Sequence, residues 1–159
     1  MSQIMAVAQQ GEAILGIRAS EIQTHELDSP WLQHLTASMQ ATMLERNGVG
    51  IAAPQVYVSK RVIIVASRPN VRYPDAPEMQ PIIMLNPVIN QRSEQTILGE
   101  EGCLSVPDMR GQVARAEKIT VQYLNLHGQP DEIRLEGFPA RIVQHEVDHL
   151  DGILFTERL

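Results

Sequence analysis

Residues 1–27 mix Ile, Leu and Val with Gln, Glu and Gly without a regular period, which predicts an irregular N-terminal arm with one short turn. Asp28-Ser29-Pro30 is a helix start, with a capping side chain and proline at the first helical position. Leu32, Leu35, Met39 and Met43 follow at helical spacing until Asn47-Gly48 stops the helix. Such a stripe is what any helix packed on a core requires. The apolar runs at 61–65 (RVIIV) and 82–85 (IIML) predict short buried strands, with the Pro-rich segment 67–81 as a surface loop between them. Ile119, Val121 and Tyr123 alternate with polar residues, the chain turns near His127-Gly128-Gln129, and Ile133 and Leu135 continue the alternation, so 118–137 predicts a hairpin. Pro139 then opens a last helix. The order helix, several strands, helix gives an α+β class, with a mostly antiparallel sheet packed around a C-terminal helix.

Composition adds few surprises. The 159 residues are 43% apolar and 20% charged, which suits one globular domain spanning 1–159 with a real core. A net charge of -6 and a pI near 5.3 argue against nucleic acid or an acidic membrane surface as partner. The N-terminus carries Glu12 and Glu21 and lacks a basic stretch before its apolar residues, so neither an export signal nor a membrane span is expected. The expected location is cytoplasmic, and the lone Cys103 suits a reducing compartment.

Chemistry enters with "VQHEVDHL", residues 143–150. H-E-x-x-H on a helix sets His145 and His149 on one face as metal ligands, with Glu146 beside them. Two imidazoles hold a catalytic metal poorly, and a hydrolytic site usually takes three protein ligands and leaves a position for water. Downstream, the metzincin pattern runs as far as Gly152 but ends on Phe155, which cannot ligate, and Glu157 lies too near the end for a further ligand helix. The third donor therefore lies upstream. Cys103, in "EEGCLSVP", is the strongest bid, because a thiolate binds zinc or ferrous iron well; His25, His34 and His127 are simpler as solvated histidines. "GVGIAAPQ", 48–55, satisfies a dinucleotide-binding spacing but follows a helix where that fingerprint must follow a strand, so the reading fails. Its glycines instead let the main chain approach a ligand.

Taken in order, "GVGIAAPQ", "EGCLS" and "QHEVDH" resemble the three signature motifs of the peptide deformylases, metallohydrolases that remove the N-terminal formyl group from newly made polypeptides. The resemblance covers Gly48 to Phe155. It implies that Cys103, His145 and His149 hold one divalent metal per chain, natively Fe2+ with Zn2+, Ni2+ or Co2+ as substitutes. Glu146 becomes the general acid/base serving a metal-activated hydroxide, and Gln55 with the Leu104 amide becomes the oxyanion site. Gly48 and Gly50 contact the substrate backbone, and Arg110 stands near the peptide. Formyl-methionyl peptides, as nascent chains near the ribosome, are the implied partners, with no nucleic acid or membrane bound. Many bacterial members continue into a further long helix; this sequence stops at Leu159, which sets aside any docking or stabilising role for that helix.

Overall fold

The computed structural model describes residues 3–159. Helix α1 (Pro30–Glu45) begins where predicted: the Ser29 side chain accepts from the Leu32 amide at 3.1 Å, and Pro30 takes the position whose N–H would lack a partner. It ends in a Schellman motif, with Asn47 left-handed at φ 57° and the Gly48 and Asn47 amides donating back to Met43 and Leu44.

Seven strands follow: β1 (Gly50–Ala52), β2 (Val62–Val65), β3 (Ile82–Arg92), β4 (Thr96–Cys103), β5 (Val106–Ala116), β6 (Lys118–Leu124) and β7 (Pro130–Glu136). Five form an antiparallel sheet in the order β1-β2-β3-β6-β7, and β4 pairs with β5 as a separate hairpin. Helix α2 (Gly137–Leu150) packs on one face of the large sheet. The expected α+β architecture is therefore the one found.

The two faces of β2 explain its unbroken apolar run. Ile63 and Val65 point toward α2 with Ala140, Val143 and Val147, while Val62 and Ile64 point toward α1 with Leu32, Leu35, Met39 and Met43. A strand covered on both sides has no polar face to show. β3 runs seven residues past the predicted strand end at Leu85, although Pro87 cannot donate to a ladder. A register shift between Leu85 and Val88 accommodates it, with Asn86 at φ 49°. The side chain of that same Asn86 accepts from the Ile22 amide and donates to its carbonyl, fastening the N-terminal arm to the sheet. The arm carries two short 3-10 turns and is tied further by Ala8 to Gln55 and Gln10 to Ser105. α2 starts two residues before Pro139, at Gly137. Among the described residues no helix is long and apolar enough to cross a membrane.

Behind α2, Phe155 is 1% exposed and packs with Val106, Val113, Leu154 and Cys103. Its ring stacks on His145 with centroids 6.1 Å apart. Phe155→Ala should therefore lower stability by about 3–5 kcal/mol, the cost of a large core cavity. Chemical denaturation checks it, and a loss under 1 kcal/mol would make the segment after α2 peripheral.

Candidate active site

The H-E-x-x-H histidines lie on consecutive turns of α2, and both are buried. Cys103 ends β4 and reaches them across the interface between the hairpin and the helix, its sulfur 3.2 Å from His149 Nε2. One ligand atom from each of Cys103, His145 and His149 falls within a group spanning 4.8 Å. His25, His34 and His127 are exposed on the outer surface, and His127 faces Asp28.

What surrounds the donors tunes them. His145 Nδ1 lies 3.0 Å from Glu101 Oε1, which leaves Nε2 for the site. Glu101 also receives two hydrogen bonds from Arg115 at 2.9 Å and one from Arg141 at 2.7 Å. Burial alone would raise the Glu101 pKa, but the hydrogen bonds from Arg115 and His145 outweigh it and hold the carboxyl well below its ordinary range. Arg115 continues to Asp148, which Arg158 clamps with two further bonds. Burial likewise pushes the Cys103 thiol up, and the charge and hydrogen bonds of His149 and His145 reverse the effect, so the thiolate is favoured. Glu146 is pushed up to about 7 by burial, against the pull of the two histidines. Its Oε1 is buried without a hydrogen-bond partner, and such an orphaned atom calls for a group that is not protein. A thiolate, two imidazoles and an unpartnered carboxylate oxygen beside them fit a divalent metal with its water.

Gln55 is 2% exposed, far from a surface glutamine. Its Oε1 accepts from the Ala52 amide at 3.0 Å, while Nε2 donates to Ser105 Oγ at 3.1 Å and points at the Cys103 sulfur at 3.6 Å. Leu104 forms the tight turn between β4 and β5 with Ser105. Gly48, Gly50, Gln55, Cys103, Leu104, His145 and Glu146 line one cavity with about 470 Å³ of empty space, part of it open to solvent. Arg110 stands a layer back. It pairs with Glu100 at 3.3 Å and lies 4.9 Å over the ring of Tyr73, which does line the cavity.

Tyr73 shows what sequence reasoning missed. It comes from the loop at 67–81, and its hydroxyl accepts from the Gly102 amide at 3.0 Å, which brings a presumed surface loop onto the site wall. Phe138, Arg141 and Ile142 complete the wall from α2, on the same side as the histidines. Helical spacing from His145 would have marked Arg141 and Ile142; nothing local marks Tyr73.

At Gly50 a side chain has no room. A Cβ there would lie 2.7 Å from both Glu146 Oε2 and Ile142 Cγ2. Gly50→Ala should cost about 1–3 kcal/mol by overpacking and displace Glu146. Thermal melting set beside turnover checks this, and no change in either would show that Glu146 and Ile142 yield freely.

A buried Cys/His/His donor set with a carboxylate on the next helical position, at the floor of a cleft, defines a metallohydrolase of the H-E-x-x-H kind. A sequence model of the polypeptide deformylase family matches residues 4–159. Peptide deformylase 2 of Shewanella oneidensis is 50% identical over 154 residues, which cover 97% of this chain and 83% of that protein. A crystal structure of a class I type b peptide deformylase from Acinetobacter baumannii with Met-Ala-Ser bound matches at TM-score 0.98 and 64% identity, over 100% of both chains. Peptide deformylase from Thermotoga maritima matches at TM-score 0.85 and 32% identity, over 99% of this chain and 98% of that one. The chain belongs to the polypeptide deformylase family, metal-dependent hydrolases of protein biosynthesis that remove the N-formyl group from new polypeptides.

Proposed function

We propose that this chain, acting as one catalytic domain in the cytoplasm, hydrolyses the formyl group from formyl-methionyl nascent chains near the ribosome. Cys103, His145 and His149 hold one divalent metal, natively ferrous iron, with zinc, nickel or cobalt able to take its place. The observation that carries the assignment is the convergence of those three donors within 4.8 Å in a chain of this family. When bound, the metal supplies a Lewis acid that lowers the pKa of water toward about 7.

The remaining steps belong to the chain's own residues. Glu146, with a carboxyl pushed up to about 7 by burial, takes a proton from the attacking water and returns it to the amine nitrogen as the formyl C–N bond breaks. Formate and a free N-terminal amine leave. Gln55 Nε2 and the Leu104 amide serve the negative charge that develops on the carbonyl oxygen, where one donor is worth about 3–4 kcal/mol. The Ala52 and Ser105 contacts hold the Gln55 carboxamide in place, and the N–H now aimed at the Cys103 sulfur at 3.6 Å is the one that would turn to the carbonyl oxygen. Gly48 and Gly50 leave the β1 edge free for the peptide main chain, and Arg110, through Tyr73, supports the wall beside it.

The crowding at Gly50, Glu146 and Ile142 sets the expected selectivity. Formyl carries only hydrogen on its carbonyl carbon, whereas acetyl adds a methyl and a less electrophilic carbonyl. A methyl group in a pocket is worth roughly 10–200-fold, so formyl-Met-Ala should exceed acetyl-Met-Ala in kcat/KM by on the order of 10² or more. The test uses anaerobically prepared protein with its metal quantified. Comparable rates on the two peptides, or steady digestion of casein, would replace this reading with a broader amidase or protease.

A further inference from the structure

A line of paired side chains runs from the surface to one metal donor, and the residue at its outer end is Arg158. It lies in the 3-10 turn Phe155–Arg158 after α2, with its side chain 44% exposed. The backbone that carries it is firmly held: Phe155 is anchored in the core, and Glu157 Oε2 accepts from the Leu154 amide at 2.8 Å. From there the guanidinium grips Asp148 as a fork, Nε reaching Oδ2 at 2.6 Å and Nη2 reaching Oδ1 at 2.9 Å. Arg115 Nη1 donates to the same Oδ2 at 2.6 Å, while its Nε and Nη2 make a second fork on Glu101 at 2.9 Å each. Glu101 Oε1 holds His145 Nδ1 at 3.0 Å. Asp148, Arg115, Glu101 and His145 are all buried.

An ion pair whose partners both meet water contributes little. Asp148 is not such a partner, because it is 7% exposed and stands on α2 between the two histidines. The single charge of Arg115 would otherwise have to serve both Asp148 and Glu101. The two oxygens of Glu101 are also not equivalent. Oε1, which faces His145, takes its guanidinium bond from Arg115, whereas Arg141 bonds Oε2. The placement of Oε1 therefore depends on Arg115 staying where it is.

We propose that Arg158 is a positioning residue for the metal donors: by neutralising Asp148 it leaves Arg115 to hold Glu101 Oε1, which fixes the orientation of the His145 ring. The proposal rests on the reading of Cys103, His145 and His149 as the metal ligands. Without Arg158, Asp148 is a buried carboxylate short of a partner and draws Arg115 toward itself. Glu101 Oε1 is then held less firmly, and so is the imidazole it orients. A half-exposed residue ten positions beyond Asp148 thereby acts on the metal affinity of a buried histidine.

The experiment measures the cobalt(II) Kd of the full chain by competition with a chelator, in wild type, Arg158→Met and Arg158→Lys. Methionine keeps an unbranched apolar stem and removes the charge. Loss of a residue bonded directly to a ligand costs about 10–100-fold in affinity, so Arg158→Met, acting from further out, should cost about 10-fold. Arg158→Lys should recover most of that loss, since it keeps the charge and gives up only the fork. In a Glu101→Gln background Arg158→Met should change the Kd by less than ~2-fold, because the line is already cut. An equal loss with and without Glu101 would make the effect general structural damage and overturn the proposal. A Kd for Arg158→Met within ~2-fold of wild type, in protein whose wild type deformylates formyl-Met-Ala, overturns this proposal alone, whatever the melting temperature does. If Glu101→Gln does not fold, the hyperfine-shifted Nδ1 proton of His145 in cobalt-loaded Arg158→Met decides: a displaced resonance supports the proposal, and an unmoved one overturns it. Failure of wild type to take up cobalt overturns the reading of the donors and this proposal with it.

Discussion

Cys103→Ala is expected to bind metal at least ~100-fold more weakly than wild type and to lose deformylation. Loss of a residue that only hydrogen-bonds to a ligand costs about 10–100-fold in metal affinity, and here a proposed ligand itself is removed. The two histidines that remain lie on one face of α2, and no carboxylate joins Cys103, His145 and His149 in the donor group. A divalent ion would then hold two protein ligands where a hydrolytic site takes three. The thiolate is also the one anionic donor in the set, kept ionised by His149 and His145 against the effect of burial. Its loss leaves the metal's charge less compensated among donors that are themselves buried. Competition with a chelator and metal content per chain measure the first effect, and formyl-Met-Ala turnover the second. Full metal occupancy in Cys103→Ala would move the third ligand to another residue, with Glu146 the first to consider.

How far these features could be read from the sequence depended on whether their partners are local. α1 was legible because its signals are its own: the Ser29 cap, Pro30, the Leu and Met stripe, and Asn47-Gly48 at its end. β2 was legible from its unbroken apolar run, the 118–137 hairpin from its alternation, and α2 from Pro139 and the H-E-x-x-H spacing. The β4–β5 hairpin was not, since its buried surface includes Glu101 and Arg115, charged residues that any hydropathy pattern places outside. They are inside because Glu101 is satisfied by Arg115, Arg141 and His145, at separations of 14, 40 and 44 residues. The same applies to Tyr73, whose place on the cavity wall depends on the Gly102 amide, 29 residues away. The metal donors were an exception to this rule. Cys103 and His149 are also distant, at 46 residues, but they announce themselves by chemistry, since a chain with one cysteine and an H-E-x-x-H has few ways to complete a site.

Glu146→Gln is expected to lower turnover by about 10²–10⁴-fold while the metal stays in place. The two side chains have nearly the same shape, so the substitution removes a proton acceptor and little else. Glu146 is 5% exposed, its Oε1 has no hydrogen-bond partner, and burial pushes its carboxyl up to about 7, between the states needed to accept a proton from water and to release one to an amine. A carboxamide can do neither. Stability should hold or rise, because a buried carboxylate oxygen without a protein partner contributes desolvation cost and no compensating bond in the free fold. Metal binding should persist, since Cys103, His145 and His149 are untouched and Glu101 still holds His145 Nδ1. Three measurements on one variant therefore separate the roles: metal per chain, melting temperature and kcat on formyl-Met-Ala. Loss of metal together with turnover would make Glu146 a ligand. Turnover within ~10-fold of wild type would move the proton transfer to another group near the attacking water and leave Glu146 as a neighbour that only shapes the pocket beside Gly50 and Ile142.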